Sequence, residues 1–183
     1  MKSFFSQLFG LDEAPTAPSS SDTETVRKII REVDRLDPAE GRYIAAFAFV
    51  LSRVANADLE ISEDETLRME EVVRDIGGIE EAQAVLVVQI AKSQQSLIGG
   101  AENYLVTRQF NTIATPEQKE RLLHCLFEIA AADDEISLVE ENEIRKIAEE
   151  LRFDHTQFSE IRSKFNKHRT ILRQITDRPA TAQ

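Results

Sequence analysis

VANADLEISEDE, residues 54–65, returns as IAAADDEISLVE, residues 129–140. At this offset of 75 residues, Ala55, Ala57, Asp58, Glu60, Ile61, Ser62 and Glu65 pair with Ala130, Ala132, Asp133, Glu135, Ile136, Ser137 and Glu140. Apolar positions extend the match on both sides: Leu51 with Leu126, Met69 with Ile144, Val72 with Ile147. Each copy reads as a buried helix, a short acidic turn and an amphipathic helix. Ser62 with Glu65 and Ser137 with Glu140 fit the capping box, in which serine accepts from the N3 amide and glutamate reaches back to the serine amide. Each cap is worth about 0.5–2 kcal/mol, and Ile61 and Ile136 stand where a hydrophobic staple belongs. Each hairpin alone has too little apolar surface on its far side to be stable, and packing the two apolar helices together would supply the core. The pattern predicts an all-α fold: a helical bundle of seven to eight helices built from two helix–acidic turn–helix repeats related by a pseudo-two-fold.

Working outward, helices are expected over about 22–36, 39–57, 63–75, 79–95, 101–112, 116–132, 138–151 and 156–175. The signals are local. Val26, Ile29, Ile30 and Val33 recur on one helical face, Pro38 stops or restarts the chain, and Gly77–Gly78 ends a helix. Thr115–Pro116 supplies an N-cap followed by an N1 proline. The run Ile44–Leu51 is apolar almost all round, the mark of a helix in the middle of a domain. No segment alternates as a half-buried strand would. Residues 1–11 form a short apolar segment with Phe4, Phe5, Leu8 and Phe9 on one face. Residues 12–21 (DEAPTAPSSS) read as a flexible linker, 22–176 as the helical domain and 177–183 as a frayed tail.

The 183 residues carry a formal net charge of −11 and are 42% hydrophobic and 30% charged, an ordinary globular composition. Such an acid excess argues against nucleic acid as a partner. The single cysteine, Cys125, rules out an intramolecular disulfide and a cysteine-rich zinc site, and it suits a reducing, cytoplasmic compartment. The longest apolar run is far short of the roughly 20 residues of a membrane span. MKSFFSQLFG lacks the continuous apolar stretch of a secretory signal. Peripheral membrane contact through Phe4, Phe5, Leu8 and Phe9 is a separate expectation.

Capping explains the repeated Ser and Glu but not Asp58, Glu60, Asp133, Asp134 and Glu135. Carboxylates at a helix C-terminus face the negative end of the macrodipole. Their repetition points to compensation by a divalent cation, a basic partner or neighbouring Lys and Arg; the alternative is an exposed turn held by its capping box, with its carboxylates simply solvated. The candidate metal-ligating set is Asp58, Glu60, Glu65, Asp133, Glu135 and Glu140, with Glu65 and Glu140 divided between capping and ligation. Hard oxygen donors favour Ca²⁺, Mg²⁺ or Mn²⁺. The EF-hand is excluded: counting from Asp58 or Asp133, position 6 is Glu63 or Leu138 instead of glycine, and position 12 is Met69 or Ile144 instead of glutamate. Whether the turns form one site or two stays open.

Charge is segregated. Residues 56–81 hold ten acids and two bases, residues 128–150 nine and two, and residues 152–178 three and seven. The basic last helix and the acidic turns are either neighbours or opposite poles. His124 and Cys125 are adjacent on one helix and diverge by about 100°, so they would share a proton poorly, and Cys125 reads as a core thiol and not as a nucleophile. His155 and His168 read as surface residues. No phosphate-binding loop, dinucleotide fingerprint or nucleophile elbow occurs, so catalytic residues are expected to be none.

The repeated phrase resembles the signature of the TerB-like family of tellurite-resistance proteins, roughly A-x-A-D-G-x-[IV]-S-x-x-E. It reads ANADLEISEDE from Ala55 and AAADDEISLVE from Ala130. The resemblance covers about residues 24–175. It implies an all-helical fold and a non-catalytic role in a stress or tellurite-resistance-type response at the inner membrane face, with an unidentified protein partner. Where the pattern often carries glycine, this chain has Leu59 and Asp134, so the turn is expected to curl less and any cation to bind weakly. Two other functions stand beside this one. The first is an acidic protein-interaction adaptor without metal, and the second a metal-dependent enzyme.

Overall fold

A computed structural model describes residues 28–29, 31–55, 63–93 and 100–170. Among them run seven α-helices: α1 Pro38–Ala55, α2 Glu63–Asp75, α3 Glu81–Ser93, α4 Gly100–Ile113, α5 Pro116–Ala130, α6 Leu138–Glu150 and α7 His155–Ser163. No strand occurs among the described residues; there is one isolated parallel bridge, between Ile136 and Arg169. The expected all-α bundle is the observed one.

The helix α1 is the hub. Proline at its first position needs no partner for an amide it lacks, and the Asp37 carboxylate accepts from the Ala39 amide at 2.9 Å. Every residue from Ile44 to Ser52 is buried, because α3, α4, α5 and α6 all pack around this helix. Fully burying each Phe, Leu or Val there contributes about 1.5–3 kcal/mol. Tyr43, Phe47 and Phe110 join α1 to α4, with ring centroids 5.6–6.1 Å apart.

The flanking helices are amphipathic. In α2 only Met69 and Val73 are buried. It stops at Gly77–Gly78, where Gly78 takes φ +66°, a conformation that costs an L side chain about 1–2 kcal/mol. The helix α6 occupies the register of α2 shifted by the repeat offset, residue for residue, and buries Ile144, Ile147 and Ala148. α1 packs on α6, and α2 packs on α5. The turn between Asp133 and Ile136 lies outside any helix. Its counterpart, Asp58–Ile61, lies outside the described residues, as do the apolar N-terminal segment, the linker and the C-terminal tail.

Two helix boundaries differ from expectation. The first expected helix, 22–36, is helical only at 28, 29 and 31–33 among its described residues and gives way to a turn at 34–36. Pro38 disfavours helical geometry before it, and Asp37 is committed to capping α1. The last, expected over 156–175, ends as α7 at Ser163. Phe165 then turns inward to stack on Phe127, centroids 5.0 Å apart, and a 3₁₀ turn at Asn166–His168 follows. Beyond it the backbone of 168–170 is taken up by Ile136.

Candidate functional site

The second acidic turn is built from the end of α5. The amides of Ala131 and Ala132 return to the carbonyls of Phe127 and Ile129. The chain then reverses through Asp134, whose φ is 61°. Aspartate is among the few non-glycine residues that visit this left-handed region routinely. The curl expected to be lost with glycine is therefore retained at this position. Ile136 sinks into the core, 1% exposed, and pins the turn. Ser137 then opens α6 through a complete capping box: its hydroxyl accepts from the Glu140 amide at 3.2 Å, and the Glu140 carboxylate accepts from the Ser137 amide at 2.9 Å.

A C-terminal strap crosses this turn. The Ile136 amide donates to the His168 carbonyl at 2.6 Å, and the Thr170 amide donates to the Ile136 carbonyl at 3.2 Å. Three consecutive strap residues each meet an acid. His168 Nδ1 lies 3.3 Å from the Asp134 carbonyl oxygen and 3.8 Å from its carboxylate. The Arg169 guanidinium grips Glu141 with two donors, at 2.8 and 2.7 Å, and donates to Asn166 at 2.9 Å. The Thr170 hydroxyl lies 2.8 Å from Glu135 Oε1 and 2.8 Å from the Ile136 carbonyl. Arg162 approaches Glu141 from α7 at 3.5 Å. The Arg169 and Glu141 side chains are only 11% and 13% exposed, so this forked, charge-assisted pair sits largely out of water. His168, expected at the surface, is mostly covered, with 16% of its side chain exposed. His155 is exposed.

The structure thus places the candidate ligands unevenly. Asp133 and Glu135 are exposed on the turn, and Glu140 is occupied in its cap. Glu65 lies in the first turn of α2, while Asp58 and Glu60 lie outside the described residues. Among the described residues no group of three or more His, Cys, Asp or Glu is placed to hold a metal ion. The basic segment and the second acidic turn are neighbours, one of the two arrangements that charge segregation allowed. Glu141, Arg162 and Arg169 were not singled out from the sequence. The run of bases after residue 152 was the one signal that pointed their way.

A second cluster escaped notice. Arg53, at the end of α1, donates to Glu143 at 2.9 and 2.7 Å, to Glu150 at 2.6 Å and to the buried Thr107 hydroxyl at 2.6 Å. It ties α1 to α4 and α6. Burial works against its charge, but hydrogen bonds to Glu150 and Glu143 outweigh that, and its pKa is raised. Cys125 is a core thiol, as expected: burial and the nearby Glu128 push its pKa up to about 12, which leaves no thiolate to act as nucleophile. Beside it, burial and Lys164 lower the pKa of His124. No described helix is long and apolar enough to cross a membrane.

No curated protein and no solved structure shows a significant match to this chain. The family model described as "Tellurite resistance protein TerB" matches residues 44–163, from within α1 to the end of α7, with both repeated phrases. The chain belongs to the TerB family.

Proposed function

We propose that this TerB-family module is non-catalytic and works by binding: its acidic turns receive a cationic ligand in a tellurite-resistance-type response. What supports this is the second turn, where a basic segment, extended at Arg169, is already held by backbone pairing at Ile136 and by Asp134, Glu135 and Glu141. Main-chain pairing combined with side-chain pairing is how folded domains take up extended peptides. A basic segment of a protein partner is therefore the first ligand class.

A divalent cation, Ca²⁺, Mg²⁺ or Mn²⁺, is the second reading. It is favoured by the curl at Asp134, a backbone conformation that glycine also adopts, with Asp133 and Asp134 as exposed carboxylates. Asp58, Glu60, Glu65, Asp133, Glu135 and Glu140 are the ligands to test. Titration calorimetry of the full chain against each ion, with an Asp58→Asn, Asp133→Asn double variant, separates the two readings. Heat that disappears in the double variant supports the ion. Unchanged titrations and unchanged thermal stability in cation leave the basic segment as the ligand.

Phe4, Phe5, Leu8 and Phe9 would hold the module at the inner membrane face. Four apolar side chains give weak, reversible binding, so the expected result is partial pelleting with anionic liposomes. That pelleting should be lost in a chain starting at Asp22. Equal pelleting of both rules the contact out.

A further inference from the structure

The strap lies past residue 163, where the family match ends, yet it makes most of the second turn's polar contacts. We propose that residues 166–170, a 3₁₀ turn leading into the single bridged residue Arg169, are a built-in occupant of that turn, seated where a basic ligand would bind and obliged to leave before one does. The inference rests on the binding reading above and supplies its regulation.

Three features carry it. The hold is of the kind an extended ligand would use: one bridge to Ile136, flanked by an amide donated each way. The side chains match the turn one for one, His168 with Asp134, Arg169 with Glu141 and Thr170 with Glu135. The strap is also anchored differently from the bundle. Ahead of it, Phe165 is locked in the core by its stack on Phe127, whereas Asn166 and Lys167 are exposed. Among the described residues, the contacts that hold 166–170 on the turn are polar: two amide hydrogen bonds and the side chains of His168, Arg169 and Thr170. Polar contacts of this kind open locally at lower cost than the apolar core.

The test uses the full chain with Arg169→Ala, and Arg169→Gln should alanine prevent folding. Hydrogen exchange is followed at the amides of Ile136 and Thr170, and at Leu126 and Ile144 in the cores of α5 and α6. A synthetic peptide of residues 164–170 is the ligand probe, read by fluorescence anisotropy. The expected result is exchange roughly tenfold faster at Ile136 and Thr170 alone, with peptide binding at least about tenfold tighter to the variant than to the parent chain. Unchanged exchange at Ile136, with equal peptide binding to both chains, overturns the occupant and leaves the binding reading standing. Exchange that rises equally at Leu126 and Ile144 also overturns it, since the strap then belongs to the cooperative core. Local opening without peptide binding overturns the proposal through the other door, because the turn then has no such ligand.

Discussion

Arg53→Met is expected to lower the unfolding free energy by about 3–5 kcal/mol, the cost of removing one partner from a buried ion cluster. The guanidinium is 5% exposed and serves Glu143, Glu150 and Thr107 together. Methionine fills much of the volume but takes the guanidinium away from Glu143, Glu150 and Thr107, with Lys146 still reaching Glu143 at 3.3 Å. Glu143 and Glu150 retain 23% and 17% exposure, so some rehydration is available and the lower end of the range is favoured. Denaturant unfolding gives the number, and an unchanged slope against denaturant shows that the folded state itself persists. Removing the charges together, as Arg53→Met with Glu143→Gln and Glu150→Gln, should recover a large part of the loss. Arg35→Met is the control. Its pair with Glu32 is exposed, and such pairs contribute about 0–1 kcal/mol. A loss at Arg53 no larger than at Arg35 would show that the cluster does not hold α1 to α6.

Most of the fold was legible because its boundaries are written locally. The start of α6 follows from Ser137 and Glu140, and the end of α2 from a glycine pair. The opening of α5 follows from Thr115 and Pro116, and the structure adds Gln118 as the reciprocal partner in the cap. The end of α7 was not legible. Its residues have helical periodicity well past Ser163, and what breaks the helix is distant in sequence: the stack of Phe165 on Phe127 and the pairing of His168 and Thr170 with Ile136. Periodicity reports which residues share a face if the helix continues; it carries nothing about a competing partner.

The site was legible in half. Glu140 in its capping box was readable from spacing alone. The Glu141–Arg169 pair beside the turn was not, since the two are far apart in the chain and no motif joins them. Arg53 did carry a signal. A guanidinium that directly follows the fully buried run Ile44–Ser52 must find carboxylates nearby, because an unpaired buried charge is too costly. That argument predicts a partner without naming it: α2 is as rich in acid as α6, and only the fold brings Glu143 and Glu150 of α6 to Arg53.

The stability of this protein is also expected to fall steeply above pH 9, with Cys125 as a principal cause. The thiol is buried in α5 and donates to the Val72 carbonyl of α2 at 3.6 Å. Burial, followed by Glu128, raises its pKa from 9.0 to about 12. Below pH 9 the thiol keeps its proton in both the folded and unfolded chains, and its contribution is fully present. Above pH 9 the unfolded thiol ionises while the folded one does not, so the unfolded state binds fewer protons and stability declines. The slope from this group approaches about 1.4 kcal/mol per pH unit, and the loss is complete near pH 12, where the folded thiol ionises too. Tyr43 adds a second loss of the same sign from pH 10 upward, since burial, and after it Cys125, raises its pKa from 10.0 to about 12. The interval between pH 9 and 10 therefore isolates the thiol. Denaturant unfolding across that interval should show a decline in the parent chain that Cys125→Ala flattens, whatever the variant's own stability at neutral pH. Parallel curves for the two proteins would mean that the thiolate is tolerated inside the bundle and that the contact between α5 and α2 is wetter than its geometry indicates.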